Sequence, residues 1–158
     1  MASKNVHNTH MSRRLRDLHG SVLDIVAVIN GPQRDELIIR EAGIHLDRAL
    51  FPLLVLVERI GPVGVVELAD RVGRDHTTVS RQTAKLEALG LVERRAGRAD
   101  RRVREAVVSP AGKAMTDLID AARDRLLRAA FADWSPEDLD ALVLLMRRFA
   151  DTLVSGRQ

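Results

Sequence analysis

The chain has 158 residues, 46% of them hydrophobic and 30% charged, and its 25 Lys plus Arg outweigh 22 Asp plus Glu by a formal +3. This is the composition of one globular domain with a real core, not of a disordered chain, and no apolar run approaches the ~20 residues that span a bilayer. Cysteine is absent, which excludes disulfides, thiolate metal sites and thiol redox sensing. The N-terminus lacks a basic stretch followed by an apolar one and a cleavage site, so a cytoplasmic location is expected.

Residues 1–10, MASKNVHNTH, show no periodicity and read as a mobile arm. His7 and His10 are three apart, but no Asp, Glu or Cys in the arm completes a metal site, so no metal is expected. From Met11 to Asn30, Leu15, Leu18, Val22, Ile25 and Ile29 recur on one helical face, and Asn30-Gly31-Pro32 ends the run. A shorter helix is predicted over Gln33–Ala42. Another spans about Arg48 to Ile60, apolar over most of its surface and so expected inside the fold. Pro52 within it either opens the helix proper or kinks its first turns at up to ~3 kcal/mol.

Val65 to Val72 gives a half-buried helix through Val65, Val66, Leu68, Ala69 and Val72, closed by Gly73. Asp75 is a natural N-cap, accepting from the amide of Thr77 or Thr78, for a second helix running to about Leu89. Its buried face is Val79, Thr83, Leu86 and Leu89. The opposite face, His76, Thr77, Ser80, Arg81, Gln82 and Lys85, is polar, and no acid falls between Asp75 and Glu87. Two helices crossing steeply need a small residue at the crossing, a turn glycine and an apolar anchor, which Ala69, Gly73 and Val79 supply.

Leu91–Arg95 and Val103–Val108 read as short strands, and residues 96–102 between them are too polar to pack, giving a hairpin wing. From Arg71 to Arg104 ten Arg plus Lys face four acids, an excess of six against +3 for the whole chain. Basic charge is thus concentrated on one element, as a polyanion partner requires. Ser109 as N-cap and Pro110 as first helical residue then open a long helix to Phe131, with Met115, Leu118, Ile119, Ala122, Leu126 and Ala130 on one face. Ser135-Pro136 repeats that start for a last helix carrying Leu139, Leu142, Val143, Leu145, Met146, Phe149 and Leu153.

GPVGVVELADRVGRDHTTVSRQTAKLEALGLVER followed by DRRVREAVVSPAGKAM resembles the MarR (multiple-antibiotic-resistance regulator) family, and with the flanking helices the resemblance covers roughly Leu15 to Val154. It implies a mainly α fold with a small β-hairpin wing. A winged helix-turn-helix lobe (46–112) would be flanked by dimerisation helices (11–45 and 113–158) within one domain over 11–158. The terminal helices indeed carry more apolar surface than a compact lobe can absorb, and a second copy of the chain is the simplest cover. Leu15, Leu18, Val22, Leu142, Met146 and Phe149 are the expected interface residues.

A homodimer would place two recognition helices in successive major grooves of double-stranded DNA, about one turn apart, on an imperfect palindrome. Arg81 is the expected guanine contact through its bidentate fork, with His76, Thr77, Thr78, Ser80 and Gln82 available to bases or phosphates. Lys85, Arg74 and Arg94 are expected on phosphate. The family's Asp-x-Arg pattern falls on Asp100 and Arg102. The resemblance implies that Asp100 braces an arginine while a wing-tip residue, Arg98 or Arg101, enters the minor groove.

The resemblance further implies a repressor released by a small aromatic or phenolic anion bound between the dimerisation helices and the lobe. His19, His45 and Arg48 lie near that crevice and are the candidate pocket residues. A winged-helix module binding DNA or protein without an effector is the alternative, and a metal-responsive regulator a weaker one. For an enzyme there is no support: the sequence has no Gly-rich phosphate loop, no HExxH, no CxxC, and no cofactor is expected.

Overall fold

The computed structural model describes residues 2–97 and 104–156. In chain order the elements are α1 (Ala2–Asn30), α2 (Pro32–Glu41), α3 (Phe51–Ile60), β1 (Val63–Gly64), α4 (Val65–Val72), α5 (His76–Ala88), β2 (Val92–Ala96), β3 (Arg104–Val108), α6 (Pro110–Ala130) and α7 (Pro136–Ser155). They form two compact units, one through Ile119 and one from Asp120 onward. The division falls inside α6.

The first unit is built around α3, whose Phe51, Leu53, Leu54 and Val57 are buried. Leu68 and Ala69 of α4, Val79 and Leu86 of α5, Leu91, Val92 and Ala106 complete that core, with Ile119 from α6. Helix α3 begins at Phe51, not Arg48, because the backbone before it is committed to a turn: Asp47 Oδ1 accepts from Ala49 N (2.9 Å) and Asp47 O from Leu50 N (2.8 Å). Such side-chain bonds compete with helical ones. Pro52 therefore stands in the first turn, where its missing N–H would have had no helical partner.

A three-stranded antiparallel sheet runs in the order β1-β3-β2, with Val63 opposite Ala106 and the β2–β3 pair in continuous register from Val92↔Val108 to Ala96↔Arg104. The hairpin is the one expected, with β2 shifted by one residue. Strand β1 was not foreseeable from alternation, since two residues carry no period. The wing residues Arg98, Asp100, Arg101 and Arg102 lie outside the described residues.

Helix α1 starts at Ala2, which corrects the expectation of a mobile arm over residues 1–10. No Gly or Pro intervenes before Gly20, and extending an existing helix adds one hydrogen bond per residue without a new nucleus, even where no apolar face continues. Leu89 corrects another expectation. It caps α5, and Gly90 at φ +69° reverses the chain, so Leu91 turns inward while Leu89 stays 54% exposed.

Helix α6 is seated on that reversal. Ser109 Oγ accepts from Gly112 N (3.0 Å) and donates to Gly90 O (2.5 Å). A Cβ on Gly112 would stand 2.0 Å from Leu91 O. Ile119 and Ala122 of the expected α6 face are buried, whereas Leu118 is exposed.

In the second unit, Phe131 and Trp134 meet edge to face at 5.1 Å, and Ser135 Oγ caps α7 by accepting from Asp138 N (3.1 Å). Helix α7 has no buried residue: Val143, Leu144, Leu145, Met146 and Leu153 all face solvent in the single chain. Helix α1 likewise exposes Leu15, Leu18, Leu23, Ile25, Val28 and Ile29, with Val22 half-buried. Among the described residues no helix is long and apolar enough to cross a membrane.

The seat of α6 predicts that Gly112→Ala lowers the urea midpoint, at a cost of about 1–3 kcal/mol typical of overpacking. Ser109→Ala should cost about 1 kcal/mol as a lost cap. A Gly112→Ala protein as stable as wild type would show that α6 does not need this close approach.

Candidate nucleic-acid interface

Gly73 ends α4 at φ +64°, ψ 36°, with its N–H and that of Arg74 turned back to Ala69 O. A residue with a Cβ pays roughly 1–2 kcal/mol in that left-handed conformation. Two residues later Asp75 caps α5, accepting from Thr78 N at 2.8 Å. The Thr78 hydroxyl, together with its amide, holds the Asp75 carboxyl below the usual range. Thr78 thus takes part in the cap.

Helix α5 buries Val79, Thr83 and Leu86, and the Thr83 hydroxyl is satisfied by donating to Val79 O (2.8 Å). With that stripe inward, His76, Thr77, Arg81 and Ala84 are exposed and Ser80 half-buried. His76 Nε2 lies 3.8 Å from Asp70 Oδ1 on α4, across the turn.

The cations around α5 are mostly engaged within the protein. Arg74 Nη1 donates to Ala49 O (3.0 Å) and to Gln82 Oε1 (3.2 Å), so Gln82 too is turned away from a partner outside. Lys85 Nζ meets Asp47 Oδ2 at 3.0 Å. Asp47 is held below the ordinary carboxylate range first by the Ala49 amide and then by Lys85. Arg94, whose side chain is only 21% exposed, puts Nη2 on Ser80 O (3.3 Å) and Nε 3.2 Å from Glu87 Oε2. That last contact is an ion pair by distance but not an aligned hydrogen bond. Arg71 pairs with Glu67 and Arg95 with Glu93.

Arg81 differs from all of these. It is exposed at the middle of α5, and among the described residues no carboxylate stands within ion-pair distance of it. The three residues expected on phosphate, Arg74, Lys85 and Arg94, thus each have a partner within the protein, whereas Arg81 has no ion-pair contact among the described residues. The signal that separates them, a partner on α3's approach or, for Arg94 of β2, on α5, is long-range and invisible to helical spacing.

The pocket residues are less organised. His19 is exposed on α1, His45 is exposed ahead of the Asp47 turn, and Arg48 Nη1 is bonded to Glu36 Oε1 of α2 at 2.9 Å.

A two-helix unit with a tight glycine turn, an outward polar second helix and a β-hairpin behind it defines a winged helix-turn-helix protein. Residues 46–103 match the model of the MarR family. The chain is 30% identical over 104 residues to the HTH-type transcriptional regulator YxaD of Bacillus subtilis, covering 66% of this chain and 73% of that one. It is similar in structure to a MarR family protein of Bacillus stearothermophilus, at TM-score 0.75 and 20% identity over 90% of this chain and 97% of that one. It is also similar to MarR itself, at TM-score 0.67 and 25% identity over 85% and 92%. The chain belongs to the MarR family of transcriptional regulators.

The cap carries a pH dependence of definite sign. Because Asp75 is depressed in the folded state, its contribution is fully present above the unfolded value of ~3.9 and is lost as pH falls through the lower folded value. Asp75→Asn should therefore flatten the acid limb of the stability–pH curve, followed by helical circular dichroism. An acid limb identical to that of wild type would remove Asp75 as its source.

Proposed function

We propose that the protein is a homodimeric, sequence-specific regulator that binds double-stranded DNA through α5 of each copy, acting as a repressor on an imperfect palindrome. The observation that carries this reading is Arg81: a guanidinium exposed at the centre of the recognition helix, with no carboxylate partner among the described residues, between Thr77 and Ala84 on the outward face. Its planar fork matches the O6 and N7 acceptors of guanine in the major groove. Ser80, Thr77 and His76 flank it with hydrogen-bonding groups of both kinds. The local basic excess adds a sequence-independent attraction to the phosphates, and the wing arginines 98, 101 and 102 belong to that footprint.

Support for a dimer comes from the uncovered apolar faces of α1 and α7. Leu15, Leu18 and Met146 are exposed in the single chain, and such faces mark interfaces. Two α5 helices related by a dyad would then meet the major groove about one turn (~34 Å) apart. Release by a small aromatic or phenolic anion is the form of control that the family resemblance favours. It requires only that the anion bind a DNA-incompetent spacing more tightly than the competent one.

Duplexes recovered from a random-sequence pool by the wild-type protein should converge on an imperfect palindrome. With such a duplex in a fluorescence-anisotropy assay, Arg81→Ala should cost about 1–3 kcal/mol and relax base preference at one position per half-site. An equal loss on every sequence would make Arg81 a phosphate contact. Independently, Met146→Glu should convert a dimer to monomers in sedimentation velocity, and an unchanged dimer would place the interface elsewhere.

A further inference from the structure

The turn that precedes α3 holds more of the molecule together than its length suggests. Its three residues reach in three directions. Arg48 bonds Glu36 on α2 at 2.9 Å, Asp47 Oδ2 takes Lys85 Nζ from the C-terminal half of α5 at 3.0 Å, and Ala49 O takes Arg74 Nη1 from the turn before α5 at 3.0 Å. Arg74 in turn bonds Gln82 Oε1 in mid-helix. Asp47 also makes the turn itself, through Oδ1 to Ala49 N and its carbonyl to Leu50 N. Helix α5 is thus gripped at two heights, by Arg74 and by Lys85, from one short segment that is itself tied to α2.

We infer that Asp47 is a positioning residue for DNA recognition, setting where α5 stands by holding Lys85 and by shaping the turn that receives Arg74. The inference rests on the reading of α5 as the DNA-contacting helix. It departs from the expectation drawn from the sequence in giving Lys85 an internal partner in place of a phosphate. Both side chains of the Asp47–Lys85 pair are half exposed, so the contact is worth little to folding. Its effect should appear when the helix must dock at a fixed angle, because a small misplacement of a docked group is costly there.

The test is a double-mutant cycle on the full chain, with Asp47→Asn, Lys85→Met and the two combined. Each is titrated across a salt series with a duplex that wild type recovers from a random-sequence pool. Thermal unfolding of each variant separates misfolding from misplacement. The expected result is a loss of about two- to fivefold per lobe for either single variant, a double variant no weaker than the weaker single, and a slope of log affinity against log salt equal to that of wild type. A slope reduced by about 0.9 per contact in Lys85→Met, with Asp47→Asn binding as wild type or tighter, would make Lys85 a phosphate ligand and overturn the inference while leaving the DNA-binding reading intact. Additive losses would overturn it as well. Failure of wild type to recover any duplex would remove the DNA-binding reading, and this inference with it.

Discussion

What the chain can present to DNA depends on one constraint, the complete withdrawal of Val79, Thr83 and Leu86 from water. Burying Val79 and Leu86 is worth about 1.5–3 kcal/mol each, and the Thr83 hydroxyl is compensated by its bond to Val79 O. The exposed ion pairs around α5 are worth about 0–1 kcal/mol each. The apolar stripe therefore decides which face of the helix points out, and the polar brackets from Asp47, Ala49, Glu87 and the Ser80 carbonyl trim its angle. The Gly73 turn and the Asp75 cap fix where the helix begins, so that the outward line through Thr77 and Arg81 starts at a defined height above α4.

The same hierarchy explains the charge. Internal pairing of Arg71, Arg74, Lys85, Arg94 and Arg95 leaves the net excess of six between Arg71 and Arg104 unchanged, so the long-range pull on a polyanion survives. Pairing decides instead which cations must give something up to meet a new partner. Arg81 has no ion-pair contact to break among the described residues, only a longer-range attraction to Asp75. Lys85 would have to leave Asp47, and Arg94 would have to leave both the Ser80 carbonyl and Glu87.

Much of this was legible in the residues because it is local. The bounds of α4, the left-handed Gly73, the Asp75 cap, the Ser109 and Ser135 starts and the hairpin all follow from side chains within four residues of the backbone they govern. What escaped depends on distant partners or on the absence of a pattern. Lys85 and Gln82 lie on a polar helix face and Arg74 in the turn before it, and all three look free until the Asp47 turn, far away in sequence, is brought beside them. Spacing alone does not choose which of Thr77 and Thr78 gives its amide to the Asp75 cap; it is Thr78. Leu89 matched the apolar period but fell one residue past the end of the helix, where Gly90 redirects the chain. Residues 2–10 were helical without an apolar face to announce it.

The central claim is that α5 reads base edges in the major groove through Arg81, and guanine N7 is the atom to watch, since it faces only that groove. The most direct measurement is dimethyl sulfate protection of a bound palindromic duplex by wild type and by Arg81→Ala. The account predicts one protected guanine in each half-site, the two about one helical turn apart, with both protections lost in the variant while its phosphate footprint persists. Guanines that stay reactive under saturating wild-type protein, or that remain protected in Arg81→Ala, would contradict it.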